Sequence, residues 1–137
     1  MTPERRHLAQ QAFATIQPFA DEFGMLFYSR LFELDPALRG LFKHDLANQA
    51  HSLMAMLQLA IEGLNAPEQF SRALHNLGAR HSDYGVQPEQ YATVSAALLW
   101  TLEAALGSAF TPEVAAALTE FLSIITNQMQ GKPTDNA

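Results

Sequence analysis

At four points in this chain a proline is followed directly by a glutamate: Pro3-Glu4, Pro67-Glu68, Pro88-Glu89 and Pro112-Glu113. Proline has no backbone N–H to give a helix interior, but its fixed φ suits the first helical turn, where that donor is unused anyway. A carboxylate in the same turn meets the positive end of the helix dipole. Thr2 and Thr111 each stand just before such a proline, in the place of an N-cap. Glycines mark the opposite ends, at Gly63, Gly85 and Gly107, where a helix stops most readily. A chain punctuated in this way is divided into helices joined by short connections.

The spacing of apolar residues agrees with the punctuation. A first helix is predicted from Pro3 to about Ile16, redirected at Pro18, and a second from Phe19 to Leu34. Asp35-Pro36 caps a short helical turn reaching Phe42, and a polar loop runs from Lys43 to about Leu46. The next helix carries Leu53, Leu57, Ala60, Ile61 and Leu64 on one face and stops near Gly63. Asn65-Ala66-Pro67-Glu68 restarts the chain into the segment through His75 and His81, which ends at Gly85. Gln87-Pro88-Glu89 opens a helix bearing Tyr91, Val94, Leu98, Leu102 and Leu106 and ending at Gly107. The last helix carries Val114, Leu118, Phe121, Ile125 and Met129. Seven to eight helices make an all-α single domain over residues 1–131, with 132–137 a disordered polar tail.

Composition removes several kinds of chemistry. With no cysteine, disulfides, zinc–thiolate sites, thiol catalysis and iron–sulfur clusters are excluded. The net charge is −6 and the 8 Lys+Arg are scattered, so no basic stripe is offered to nucleic acid and an anionic membrane repels the chain on balance. Polar residues interrupt the apolar stretches before membrane-spanning length, and no charged-then-apolar leader opens the chain, so a cytoplasmic protein is expected. Phosphate-binding glycine loops, a nucleophile elbow and a His-Glu-x-x-His zinc helix are absent. Five histidines, a few polar residues at apolar faces, and 9 Phe with 5 Met remain to carry a function. Taken one at a time, Tyr28 reads equally well as a core tyrosine, and Gln49 reads better as a solvated helix residue than as a ligand donor. Met54, Met56 and Met129 read as core filler.

The order of several fragments narrows the choice. Leu26-Phe-Tyr28-Ser-Arg-Leu-Phe-Glu-Leu-Asp35-Pro36 through Leu41-Phe42 resembles the second and third helices of globins, above all bacterial single-domain haemoglobins and the haem domain of flavohaemoglobins. Leu77-Gly-Ala-Arg-His81-Ser-Asp-Tyr-Gly-Val86 followed by Tyr91 resembles their proximal helix and the start of the next. The stretch from Thr101 through Gly107 to Thr111-Pro112-Glu113 resembles the turn into their last helix.

The resemblance implies a globin fold around a haem pocket, with haem b as cofactor and His81 as the protein ligand to iron. It puts Phe42 against the haem, Tyr28 and Gln49 on the distal side as hydrogen-bond donors, and Leu53 over the iron. Tyr91 falls on a tyrosine that contacts the proximal side, and Val86, Val94 and Leu98 fall on apolar walls. Arg39, Lys43 or Arg80 would meet the propionates. Gln49 and Leu53 stand at i and i+4, one face of a helix. His51, two residues beyond Gln49, is turned by about 200° to another face, whereas His44 follows Phe42 closely enough to approach a haem edge as a second axial ligand.

One departure bears on function. In flavohaemoglobins a glutamate of the last helix polarises the proximal histidine together with the tyrosine. Here the matching stretch reads Asn127-Gln-Met-Gln-Gly-Lys-Pro133 and holds no glutamate. The expected function is reversible binding of O₂, with NO, CO and sulfide as further candidate ligands, for storage, delivery or protection. The alternative is a nitric oxide dioxygenase that converts NO and O₂ to nitrate. It would take electrons from a separate reductase, since no flavin and nicotinamide domain lies within these 137 residues. A haem-free helical partner-binding module is the third reading. Monomer and homodimer are both compatible with the sequence.

Overall fold

The computed structural model describes residues 1–41, 45–64, 72 and 88–129. Among them lie helices α1 (Pro3–Ile16), α2 (Ala20–Leu34), α3 (Leu46–Gly63), α4 (Pro88–Leu106) and α5 (Pro112–Met129). Short 3-10 turns cover Gln17–Phe19, Pro36–Leu41 and Gly107–Ala109, and no strand occurs among the described residues. The predicted helices between Asn65 and Gly85, and the tail beyond Met129, fall outside the described residues.

Local chemistry accounts for the ends. The Thr2 hydroxyl accepts the Arg5 N–H at 3.1 Å, and the Thr111 hydroxyl accepts that of Val114 at 3.2 Å. Asp45 caps α3 by accepting from the Ala47 N–H at 3.1 Å. Such caps contribute about 1 kcal/mol each. Asp35 folds the chain into the following 3-10 turn: its carboxylate accepts from Ala37 N–H and its carbonyl from Leu38 N–H. Gly107 ends α4 at φ +55°, a left-handed conformation that a residue with a Cβ adopts only at a cost. Pro18 redirects rather than stops the chain: α1 runs through a 3-10 turn into α2, and Phe19 lies in that turn, 61% exposed.

The helices assemble by their predicted faces. α2 packs against α3 on one side and α4 on the other, and α1 lies on α5. Leu57, Ala60 and Ile61 of α3, Leu98, Leu102 and Leu106 of α4, and Leu118, Phe121, Ile125 and Met129 of α5 are all buried. Phe13 and Phe121 meet edge to face at 5.5 Å between α1 and α5. On the surface of the same contact Arg5 reaches Glu120 at 3.1 Å. That exposed pair contributes well under the several kcal/mol that the two buried rings do. Glu89–Ala109 is longer and more uniformly apolar than the sequence reading allowed: at 21 residues and mean hydropathy 1.2 it is apolar enough to cross a membrane by length and composition. Single polar residues such as Ser95 do not lower that average enough. Its inner face, with Tyr91, Ala97, Leu98, Thr101, Leu102 and Leu106, lines the protein core instead.

Candidate functional site

A glycine in the middle of a helix costs about 1 kcal/mol relative to alanine, so Gly24 within α2 needs a reason. A Cβ at Gly24 would lie 2.7 Å from the Ala50 Cβ and 3.2 Å from its Cα. The backbones of α2 and α3 therefore cross almost in contact, and only glycine fits there. The crossing lies one turn before Tyr28 on α2. On α3 it lies directly after Gln49 and three residues before Leu53. The glycine thus sets how deeply α3 seats against the helix that carries Tyr28. Sequence reasoning passed over Gly24, although an isolated glycine inside an apolar helical pattern is itself a signal of close approach.

Tyr28 is buried, at 5% exposure, with its ring edge to face on Phe27 at 4.9 Å and tilted against Phe32 at 6.0 Å. Burial pushes its phenol up to about 12, so at neutral pH it stays an O–H and can donate. Gln49 and Leu53 are half-buried on α3. Tyr91, Val94 and Leu98 share one stripe of α4, with Tyr91 and Leu98 buried and Val94 half-buried. Because α2 packs against both α3 and α4, the described residues of the expected pocket lie on three mutually arranged helices. Phe42, His44, His81 and Val86, with Lys43 and Arg80, lie outside the described residues.

Two further placements bear on the site. His51 is turned to solvent, its side chain 81% exposed and its Nδ1 4.0 Å from Asp21 Oδ1. Arg39 lies over the ring of Phe32, 5.5 Å from its centroid, a contact the sequence did not reveal. Among the described residues no group of three or more His, Cys, Asp or Glu side chains could hold a metal ion directly.

The described elements are all helices, and α2 carries the buried, neutral Tyr28 phenol while packing against both α3 and α4. Comparison with known proteins gives the family. The globin family model matches residues 26–129. The neuroglobin of Tetraodon nigroviridis is 29% identical over 120 residues, covering 77% of this chain and 76% of that protein. The flavohemoprotein of Rhizobium meliloti (strain 1021) is 28% identical over 131 residues, covering 93% of this chain and 30% of that protein. Neuroglobin-1 of Oncorhynchus mykiss is 24% identical over 143 residues, 94% of this chain and 90% of that protein. The chain belongs to the globin family. The likeness is wider than the bacterial haemoglobins suggested by the sequence fragments, since neuroglobins align with similar identity.

Globins generally bind haem and, through it, diatomic gases, and the residues described here fit that group. The Tyr91 hydroxyl is sealed from solvent with no hydrogen-bond partner among the described residues, and burial raises its phenol above the ordinary range. A buried polar atom without a partner costs about 1–3 kcal/mol, and an acceptor contributed by a bound group and its ligands would remove that cost. Leu53 and Val94 are half-buried and pack against the core.

Proposed function

We propose that this globin binds haem b with His81 as the iron ligand and holds O₂ reversibly, with Tyr28 and Gln49 as distal donors. The observation that carries the reading is the buried Tyr28 phenol, kept neutral on the helix between α3 and α4. Bound haem supplies an iron at which a diatomic gas can sit. Phe42, Leu53, Val86, Tyr91, Val94 and Leu98 form the apolar enclosure that excludes water. Within it the Tyr28 O–H and the Gln49 side-chain N–H donate to a gas that draws negative charge, an effect that a dry site strengthens. Tyr28 cannot serve as a base there, because its proton is held far above neutral pH.

Storage, delivery or protection is favoured over dioxygenase turnover by the composition of α5. Its carboxylates are Glu113 and Glu120 alone, both before Phe121, and Glu120 is engaged by Arg5. No further acid within α5 stands to polarise Tyr91 and, through it, the iron ligand. The dioxygenase reading, with a separate reductase, is the alternative, and the similarity to a flavohemoprotein supports it.

The deciding experiment is an absorption spectrum of the haem-loaded protein beside its His81→Ala variant. Loss of the native spectrum in the variant is expected, and a spectrum unchanged by the substitution overturns the ligand assignment. Replacing Tyr28 by Phe removes one donor to a partly charged acceptor, worth about 1.5–3 kcal/mol. O₂ dissociation measured by stopped flow is then expected to accelerate by roughly 10- to 100-fold. Sustained NO consumption with a cellular reductant, above the single turnover of the oxygenated form, would favour the dioxygenase.

A further inference from the structure

The two buried hydroxyls of α4 are treated unequally by the fold. Thr101 is fully buried, and its hydroxyl donates to the Ala97 carbonyl at 2.8 Å, one turn back on the same helix. A threonine can satisfy itself in this way because its oxygen stands close to its own backbone. Tyr91 cannot, since the ring carries its oxygen well away from the helix axis. Tyr91 is buried, at 7% exposure, and its hydroxyl oxygen is sealed from solvent with no hydrogen-bond partner among the described residues. Phenylalanine would fill the same space without a polar atom to bury. The hydroxyl therefore costs the fold stability unless a group beyond the described residues pairs with it.

The carboxylates of α4 and of the helices packed against it are directed elsewhere. Glu89 and Glu103 of α4 are exposed, as are Glu4 of α1 and Asp21, Glu22 and Glu33 of α2. On α5, Glu113 is exposed and Glu120 is engaged by Arg5 at 3.1 Å. Tyr91 itself lies in the first turn of α4 and heads the stripe Tyr91–Val94–Leu98, spaced i, i+3 and i+7. Those are the three residues of α4 assigned above to the haem enclosure, so the hydroxyl is the one polar atom of an otherwise apolar stripe. Burial raises the phenol above its ordinary range, so the oxygen keeps its proton at neutral pH and can both donate and accept.

We propose that Tyr91 is a haem-retention residue: its hydroxyl takes its hydrogen-bond partner from the loaded haem site, and the stripped protein bears the cost of burying it unpaired. The inference rests on the haem-binding reading and adds a residue that links folding to cofactor loading. Loading brings two groups that fit a phenol. One is a propionate oxygen, to which the O–H donates. The other is the N–H of the iron-bound imidazole, from which the oxygen accepts. Removing the hydroxyl then acts with opposite signs in the two states, relieving the stripped protein and weakening the loaded one. A residue that only packs the core loses stability in both.

Tyr91→Phe, compared with the parent protein in both states, tests this. Urea denaturation of the stripped proteins is expected to give the higher midpoint for the variant. Haem loss to excess apomyoglobin is expected to be faster from the variant by roughly three- to tenfold, the worth of one net hydrogen bond. Val94→Ala serves as the packing control, and it should lower the stripped midpoint while also speeding haem loss. A lower stripped midpoint in Tyr91→Phe would show a partner already present within the chain and overturns the proposal. Equal haem loss from parent and variant overturns it as well, with the haem-binding reading intact. A parent protein that takes up no haem instead fails that reading, and this inference with it. Loading with haem dimethyl ester, whose carboxylates are blocked, separates the two sources. A difference between parent and variant that vanishes assigns the contact to a propionate, and one that persists assigns it to the imidazole.

Discussion

Tyr28 shows how far one residue can be read from its surroundings. Burial raises its phenol from 10 to about 12. The charged form is disfavoured in the folded protein, so the stability this contributes is complete below pH 10. It is lost as pH rises from 10 through about 12, and the two-unit difference corresponds to roughly 3 kcal/mol. Of the two described tyrosines, Tyr28 is therefore expected to ionise last or together with unfolding, in a spectrophotometric titration read near 295 nm. In the Tyr28→Phe variant the loss of stability above pH 10 should be smaller than in the parent. An equally steep alkaline loss in that variant would show that another group causes it. The same burial that makes the phenol a poor acid keeps it a dependable donor.

Between elements, the α2–α3 crossing is the contact with least tolerance. Alanine at Gly24 gains up to about 1 kcal/mol of helix propensity, but its methyl group would overlap Ala50. Overpacking of this kind costs about 1–3 kcal/mol, so Gly24→Ala is expected to lower the denaturation midpoint despite its better propensity. Adding Ala50→Gly should recover part of the loss, because one of the clashing atoms is then gone while the close backbone atoms remain. Because Gln49 and Leu53 ride on α3 beside that crossing, the single variant should also change O₂ dissociation. At the end of α4, Gly107→Ala meets no neighbour within 4 Å but forces a side-chain residue into φ +55°. A loss of about 1 kcal/mol with unaltered gas binding is expected, measured by urea denaturation.

For the whole molecule, the docking of α1 on α5 closes the core. Phe121 is fully buried and stacked edge to face on Phe13. Phe121→Ala is expected to cost about 3–5 kcal/mol, against less than about 1 for Glu120→Ala, which breaks only the exposed ion pair with Arg5. Comparable losses from the two variants would mean that the surface pair matters more than its exposure implies. Haem that binds only the folded protein adds to its stability by mass action. Both variants should therefore denature at higher urea when loaded than when stripped, and the two shifts should be alike because neither residue belongs to the pocket.

Helix ends and inner faces were legible in the sequence because their causes are local. Thr2 and Thr111 cap within three residues of themselves, Gly107 needs only its own φ, and the stripe Leu118–Phe121–Ile125–Met129 follows from 3.6 residues per turn. The ordered fragments around Tyr28, Tyr91 and Thr111 were also enough to point to the globin family, because their spacing survives in the chain itself. What required the tertiary structure were relations between residues far apart along it. Neither partner of the Gly24–Ala50 contact announces the other, since a close approach depends on the angle at which two helices cross. The placement of Arg30 over Trp100, 70 positions apart, and the exposure of Leu26 and Leu34 on α2, depend on which neighbour leaves a face uncovered. Periodicity selects the face of a helix that is apolar. Only the packed helices determine which part of that face remains open to a ligand.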